Sequence, residues 1–256
     1  MKLMGHMIAG YPDIKSSIDV GRGILEGGAS YLEVQFPFSD GNADGILIQN
    51  ASMESISKGF SPKEGFKIIK TLAGEFPKAR ILAMTYANII YAYGIYNFIK
   101  DLKEAGGYGL IAPDFLYTKQ DHEGIRGICA ALDVKFIELV TATSSSARIK
   151  EIDSKSNAPL LYVVAREGIT GASTDISPAL KANLTRIRKL SKKELYVGFG
   201  INSKEQVKSL EAFSDGFVVG SYFVKCVDAT KGKKSKVKKE VDFISELKEA
   251  TMSLLN

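Results

Sequence analysis

The chain has little cysteine: Cys129 and Cys226 stand far apart and form no CxxC pair. That rules out a dense disulfide framework and implies reduced thiols in a reducing compartment, here read as cytoplasmic. Histidine is equally scarce, and neither His6 nor His122 sits in a ligand-spaced cluster with Cys, Asp or Glu, so no metal is expected. No apolar run approaches a membrane span, and the start MKLMGHMIAGYPD lacks the charged-then-apolar layout of a signal peptide. Proline-rich linkers, low-complexity tracts and composition breaks are also missing, so residues 1–256 are read as a single domain.

Apolar residues make up 45% of the chain and charged residues 25%, which fits an ordinary globular protein. The net charge of +5 comes largely from KGKKSKVKK (231–239), with six lysines and no acid. That tract has no interleaved aromatics and no recognised motif, so neither nucleic acid nor a membrane is expected as a partner. It reads as a solvated loop leading into a last helix from about Val237 to Leu254, striped by Val237, Val241, Ile244 and Leu247.

What the chain does have is alternation. Eight β-rich runs, GHMIAG, YLEVQF, RILAMTY, YGLIAP, KFIELVT, LLYVVA, LYVGFG and DGFVVG, are separated by helical patterns. One helix begins at Ser61–Pro62 with Glu64 closing a capping box, and carries Phe66, Ile69, Ala73 and Phe76 at helical spacing. Others begin at Ser177–Pro178 and at Ser203, with Gln206 three residues on. Eight strands alternating with helices in this length predict an α/β fold: one eight-stranded parallel (β/α) TIM barrel. A doubly wound open sheet is the alternative, but IAGYPD after the first strand has no GxGxxG.

In such a barrel, function gathers on the loops at the carboxyl ends of the strands. There the stretch YLEVQFPFSDGNADG (31–45) places acids in an apolar setting. Side chains alternate along a strand, so Leu32 and Val34 should face the helices while Tyr31, Glu33 and Gln35 point into the barrel. A lone buried carboxylate is costly unless it is paired or protonated, so Glu33 is either a satisfied structural acid or a catalytic one. Asp44, in the following loop, can fold back over it. Late in the chain, GFGIN (198–202) and VVGSYF (218–223) follow the seventh and eighth strands, and the latter opens a short helix. Backbone N–H groups at glycines and at a helix start suit a phosphate, so Gly198, Gly200, Gly220 and Ser221 form the expected cradle, with Gly171 of REGITG closing it.

These stretches resemble a known family. LEVQFPFSDGNADG is similar to LELGIPFSDPxADG of the tryptophan synthase alpha subunit, and YVVAREGITG to that family's YxxSRxGVTG. AGYPD, TYANIIYAYG, VGFGIN and DGFVVGS resemble its other landmarks in the same order. The resemblance implies retro-aldol cleavage of indole-3-glycerol phosphate to indole and glyceraldehyde 3-phosphate. It implies Glu33 and Asp44 as the catalytic acids, Glu33 protonated through burial and Asp44 ionised on a more polar loop. Tyr162 would pack in the substrate site, where Thr170, Phe199 and the glycines also bind. Arg166 and Thr170 would lie on a closing loop. It further implies a beta-subunit partner in an alpha2beta2 complex, with pyridoxal phosphate on that partner and no cofactor on this chain. Asp40 would belong to the loop that communicates with the beta subunit.

The chain departs from the pattern at Gln35, where the family has glycine, and at Gly41, where it has proline; the latter should loosen the Asp44 loop. Ala165 replaces a serine, Ile8 stands where threonine is common, and DFL (114–116), ending in Leu116, lacks a proline. The chain also begins almost on its first strand. Two other readings follow: a diverged subunit that mainly activates the beta subunit, and a stand-alone lyase that releases indole.

Overall fold

Strand β1 (Lys2–Ile8) and strand β2 (Tyr31–Gln35) run parallel, joined by helix α1 (Ile14–Glu26). Helices α2 (Ile46–Ser57) and α3 (Pro62–Glu75) lead to β3 (Arg80–Met84). Then α4 (Ala87–Tyr93) and α5 (Ile95–Glu104) lead to β4 (Gly109–Ile111). Helix α6 (Ile125–Ala131) precedes β5 (Lys135–Phe136) and β6 (Glu138–Val140). Next come α7 (Ser146–Lys155), β7 (Leu160–Val164), α8 (Pro178–Leu190) and β8 (Glu194–Gly198). The chain ends with α9 (Lys204–Leu210), β9 (Gly216–Val219), α10 (Ser221–Val237) and α11 (Phe243–Leu255). The structure, a computed structural model, describes residues 1–115, 121, 123–165, 176–198, 200–237 and 242–256, with 232–237 as backbone alone.

Every strand pair is parallel, in the order β5-β4-β3-β2-β1-β9-β8-β7-β6. The two ends of that order are consecutive in sequence. The expected strand KFIELVT breaks at Ile137: its first half, β5, pairs with β4 and its second half, β6, pairs with β7. One strand thus changes neighbours midway and brings the sheet round on itself. Among the described residues the eight expected strands become nine, and the barrel stands over the open sheet. Near the break a side chain replaces the missing ladder. The Phe136 N–H donates to Asn157 Oδ1 (3.0 Å), and Asn157 Nδ2 donates to the Val134 carbonyl (2.8 Å).

Two apolar layers follow from the strand alternation. Leu32 and Val34 pack outward with helix residues such as Ile24, Ile69 and Leu72, whereas Tyr31 joins Met4, Leu82, Ile111 and Tyr196 inside. The barrel floor is aromatic: the Tyr31 and Tyr196 rings meet edge-on at 5.2 Å, and the Arg80 guanidinium lies over the Tyr31 and Tyr108 rings. Moving up β2, the inward residues are therefore Tyr31 at the floor, Glu33 above it and Gln35 at the mouth.

Helix starts follow the expected signals in part. Ser177 and Ser203 cap α8 and α9, accepting from the Leu180 and Gln206 N–H groups. Ser61 precedes α3 with Pro62 at the first position, but its side chain makes no cap bond, and Glu64 pairs with Lys67 instead of closing a box. The lysine tract also departs from expectation. Residues 231–237 continue α10, because lysine is a good helix former in solvent, and the last helix begins at Phe243 under an Asp242 cap. Ile244 and Leu247 lie on it; Val237 ends the helix before, and Val241 lies outside the described residues. Helix α11 packs on α1 where Gly23 and Gly27 lack side chains; a Cβ on Gly23 would stand 2.5 Å from the Ile244 carbonyl.

Helix α10 is tied to its surroundings at Asp228 and Lys231. Lys231 Nζ reaches Glu54 of α2 at 2.7 Å and lies over the Tyr11 ring, and Tyr11 Oη donates to Asp228.

Candidate active site

Glu33 is 2% exposed and stands in the middle of β2, opposite His6 of β1 in the strand register. His6 Nδ1 lies 3.1 Å from Glu33 Oε1. Glu33 Oε2 is buried and has no protein partner among the described residues. Burial alone pushes the His6 imidazole down, but the Glu33 charge and hydrogen bond, with Asp44 behind them, hold it above its usual value. So the apolar setting expected for Glu33 is only half of its environment; a histidine shares it. The sequence marked His6 only as a residue without metal-ligand neighbours. The available signal was that both residues face inward on neighbouring strands.

Asp44 folds back toward the same place. Its Oδ2 accepts from Gln35 Nε2 at 2.7 Å. Burial pushes the Asp44 carboxyl up, opposed by the Gln35 amide, the His6 charge and the Tyr86 hydroxyl. Asp44 itself is thus more buried than most of the loop around it. Hydrogen bonds hold the loop at and beside Gly41. Gln49 Nε2 donates to both the Gly41 and Asp44 carbonyls at 3.0 Å, and the Ala43 N–H donates to Tyr86 Oη. Asp40 remains exposed, its carboxylate accepting from the Ser39 hydroxyl and its carbonyl from the Asn42 N–H.

Both acids line one cavity of about 790 Å³ at the carboxyl ends of the strands, within the range of small-molecule sites. Met84, Ile111, Phe115 and Val164 give it apolar walls, and Ala165 also lines it. Tyr162 of β7 is on the wall, its ring so close to Gly198 that a Cβ there would meet Oη at 2.7 Å. Burial, then the charges of Glu33 and Asp44, push the Tyr162 phenol well above its usual range, so it stays neutral.

Gly198, Gly200, Gly220 and Ser221 line the same cavity. Gly200 has φ +81°, a backbone conformation that suits glycine. Ser221 opens α10, whose first N–H groups have no partner within the helix and carry the positive dipole end. That helix runs 17 residues, so the expected short helix is in fact a long one. Arg166, Thr170, Gly171, Phe199, Leu116 and His122 lie outside the described residues. Asp114, beside Leu116, caps α4 by accepting from the Ala87 N–H.

Cys129 is buried and Cys226 partly so, both as free thiols. Among the described residues no helix is long and apolar enough to cross a membrane, and no group of three or more His, Cys, Asp or Glu could hold a metal.

Residues 1–252 match the family model described as tryptophan synthase alpha chain. A tryptophan synthase alpha chain from Helicobacter hepaticus is 46% identical over 231 residues, covering 88% of this chain and 85% of the relative. One from Methanocaldococcus jannaschii is 36% identical, covering 84% and 75%. Among solved structures, a mutant tryptophan synthase alpha-subunit from Pyrococcus furiosus superposes with a TM-score of 0.85 at 27% identity, over 99% and 97% of the two chains. A tryptophan synthase complex from the same organism gives 0.83 at 29% identity, with 99% and 97% covered. A barrel with this acid pair and these late glycines, matched along nearly its whole length, belongs to the tryptophan synthase alpha chain family.

Proposed function

We propose that this chain, as one domain in the cytoplasm, cleaves indole-3-glycerol phosphate to indole and glyceraldehyde 3-phosphate by retro-aldol reaction. In this reading it passes the indole to a beta subunit in an alpha2beta2 complex. The observation that carries the proposal is the convergence of Glu33 and Asp44 on one cavity, which Gly220 and Ser221 at the start of α10 also line.

The substrate has three parts, and the cavity offers a match to each. The phosphate suits the free N–H groups opening α10 and the glycine turns at 198–200 and 220, with Gly171 and Phe199 added from the family pattern. The indole ring suits the apolar walls and Tyr162. Cleavage requires a proton on C3, which interrupts the ring's aromaticity and leaves positive charge on nitrogen. Glu33 is placed to give that proton. Asp44 would accept the indole N–H, and the growing positive charge favours its ionised form. The side-chain hydroxyl then loses its proton, the bond from C3 to the glycerol carbon breaks, and its electrons restore the ring. Glu33, having given up its own proton, is the economical acceptor. Arg166 and Thr170 would close the site over the substrate.

The steps involve neither oxidation nor a carbanion beyond the indole ring, so this chemistry asks no cofactor of this chain. Pyridoxal phosphate is expected on the beta subunit, where indole joins serine. The retained acid pair and phosphate end favour an active lyase over a subunit that only activates its partner.

The test supplies indole-3-glycerol phosphate to the purified chain, with and without a beta subunit, and follows indole. Weak turnover that rises with the partner is the expected result, and Glu33→Gln should lower it by about 10²-fold or more while phosphate binding persists. No indole in either condition would overturn the lyase assignment; high turnover alone would favour the stand-alone enzyme. A Glu33→Gln variant with near-normal rate would remove Glu33 from the acid role.

A further inference from the structure

His6 is a buried titratable group on the cavity wall that the steps above leave unused. It sits on β1 between two parts of the proposed site. On one side Nδ1 is 3.1 Å from Glu33 Oε1; on the other its ring packs against Gly220, where a Cβ would come within 3.2 Å of Cδ2. The parallel register that sets His6 against Glu33 holds the pair at its backbone, and the missing side chain at Gly220 leaves room for the ring beside it. The carboxyl is engaged through one oxygen only: Oε2 and His6 Nε2 are buried without protein partners among the described residues.

We propose that His6 is a positioning residue for the same reaction: it holds Oε1 of Glu33 so that Oε2 is turned to the substrate, and the two side chains keep one proton between them. The inference rests on the acid role read for Glu33. The pair has two one-proton forms, a carboxylic acid beside neutral imidazole or a carboxylate beside imidazolium. In the first, the Oε2–H bond breaks as C3–H forms, and the carboxylate left behind stays bound to Nδ1–H. The substrate's hydroxyl proton then returns to the pair as the carbon–carbon bond breaks, so no proton is gained or lost overall. Among the described residues, the ionisable groups facing this pair are Asp44, from the loop after β2, and the neutral Tyr162 phenol of β7. The Gln35 amide lies beside them, and the raised His6 imidazole agrees with a proton retained near neutrality.

Such a pair loses its last proton at a value belonging to both groups, higher than that of a carboxyl beside an uncharged neighbour. Two variants separate this from simple packing. His6→Phe should lower kcat by about 10²-fold, the scale of a misplaced catalytic group, with KM changed by less than about threefold. His6→Asn keeps an N–H donor and should recover about tenfold of that loss near pH 6. Its alkaline limb should nevertheless fall at lower pH than that of the unaltered enzyme, because an amide cannot hold the proton. Unchanged alkaline limbs in both variants, or a raised KM with kcat intact, would overturn the proposal.

A measurement on the native histidine covers the case in which a variant fails to fold. NMR titration of His6 should give a midpoint above its usual value, falling by about one unit or more in Glu33→Gln. The same midpoint in both proteins overturns the pair. A chain that never makes indole yet shows this coupling overturns the lyase reading alone. A working lyase indifferent to both His6 variants overturns only the role of His6.

Discussion

Oδ2 of Asp44 takes the Gln35 amide at 2.7 Å and lies 2.5 Å from where a Cβ on Gly41 would stand. These are two of the positions in the strand-two motif where the chain departs from the family pattern, and both bear on one oxygen. Gln35 draws the carboxylate into space that a side chain at 41 would fill, so the two departures form one arrangement. Gly41→Ala should therefore displace Asp44 and lower kcat by about 10–10²-fold, while the same change in a Gln35→Gly background costs less. A double-mutant cycle on turnover measures this, and strictly additive losses would rule out the coupling. Residue-level reading reached part of this site. Period-two alternation put Glu33 inside, and the motif singled out Asp44. It missed the bonds from His6 to Glu33 and from Gln35 to Asp44, because strand register and loop folding, not neighbouring residues, set those contacts.

Elements were legible wherever local chemistry decides them. The runs of β-branched and aromatic residues became strands, and Ser177 and Ser203 became caps. Failures came where a tertiary contact or solvent decides. Ile137 splits one strand because its halves must pair with different neighbours, and the lysine tract extends α10 because nothing local stops it. Asn157 bridges Val134 and Phe136 beside that split. Asn157→Ala leaves the partly buried Phe136 N–H without its acceptor, a cost of about 1–3 kcal/mol. Chemical denaturation should report that loss, and hydrogen exchange should show faster exchange at the Phe136 amide. An unchanged midpoint and unchanged protection would show that the amide bridge is dispensable.

At the scale of the molecule, charged groups on opposite sides of neutrality shape stability. Burial alone would raise Asp215 and Asp153, but Arg188 and the Leu195 N–H hold the first below the usual carboxylate range, and the Ser191 hydroxyl with the Lys192 N–H holds the second. Depressed carboxyls stabilise the fold above their unfolded value of about 3.9, and that contribution disappears as pH falls through the folded value. His6 has the opposite sign: raised in the fold, it contributes fully below about 6.5 and loses that contribution as pH rises through its folded value. The melting temperature should then be highest between about pH 5 and 6.5 and decline on both sides. The alkaline decline should flatten in His6→Phe, and the same slope in both proteins would exclude His6 as its source.

Helix α10 begins at the glycine-lined end of the cavity and is fastened farther along to α2, the helix that starts two residues after Asp44. Lys231 clamps Glu54, and Tyr11 joins Asp228 to the same cluster. The helix that opens at the glycine-lined end of the cavity is thus tied to the helix that follows the Asp44 loop. Were an anion to sit at its start, as proposed, the two ends of a substrate would bear on one connected pair of helices.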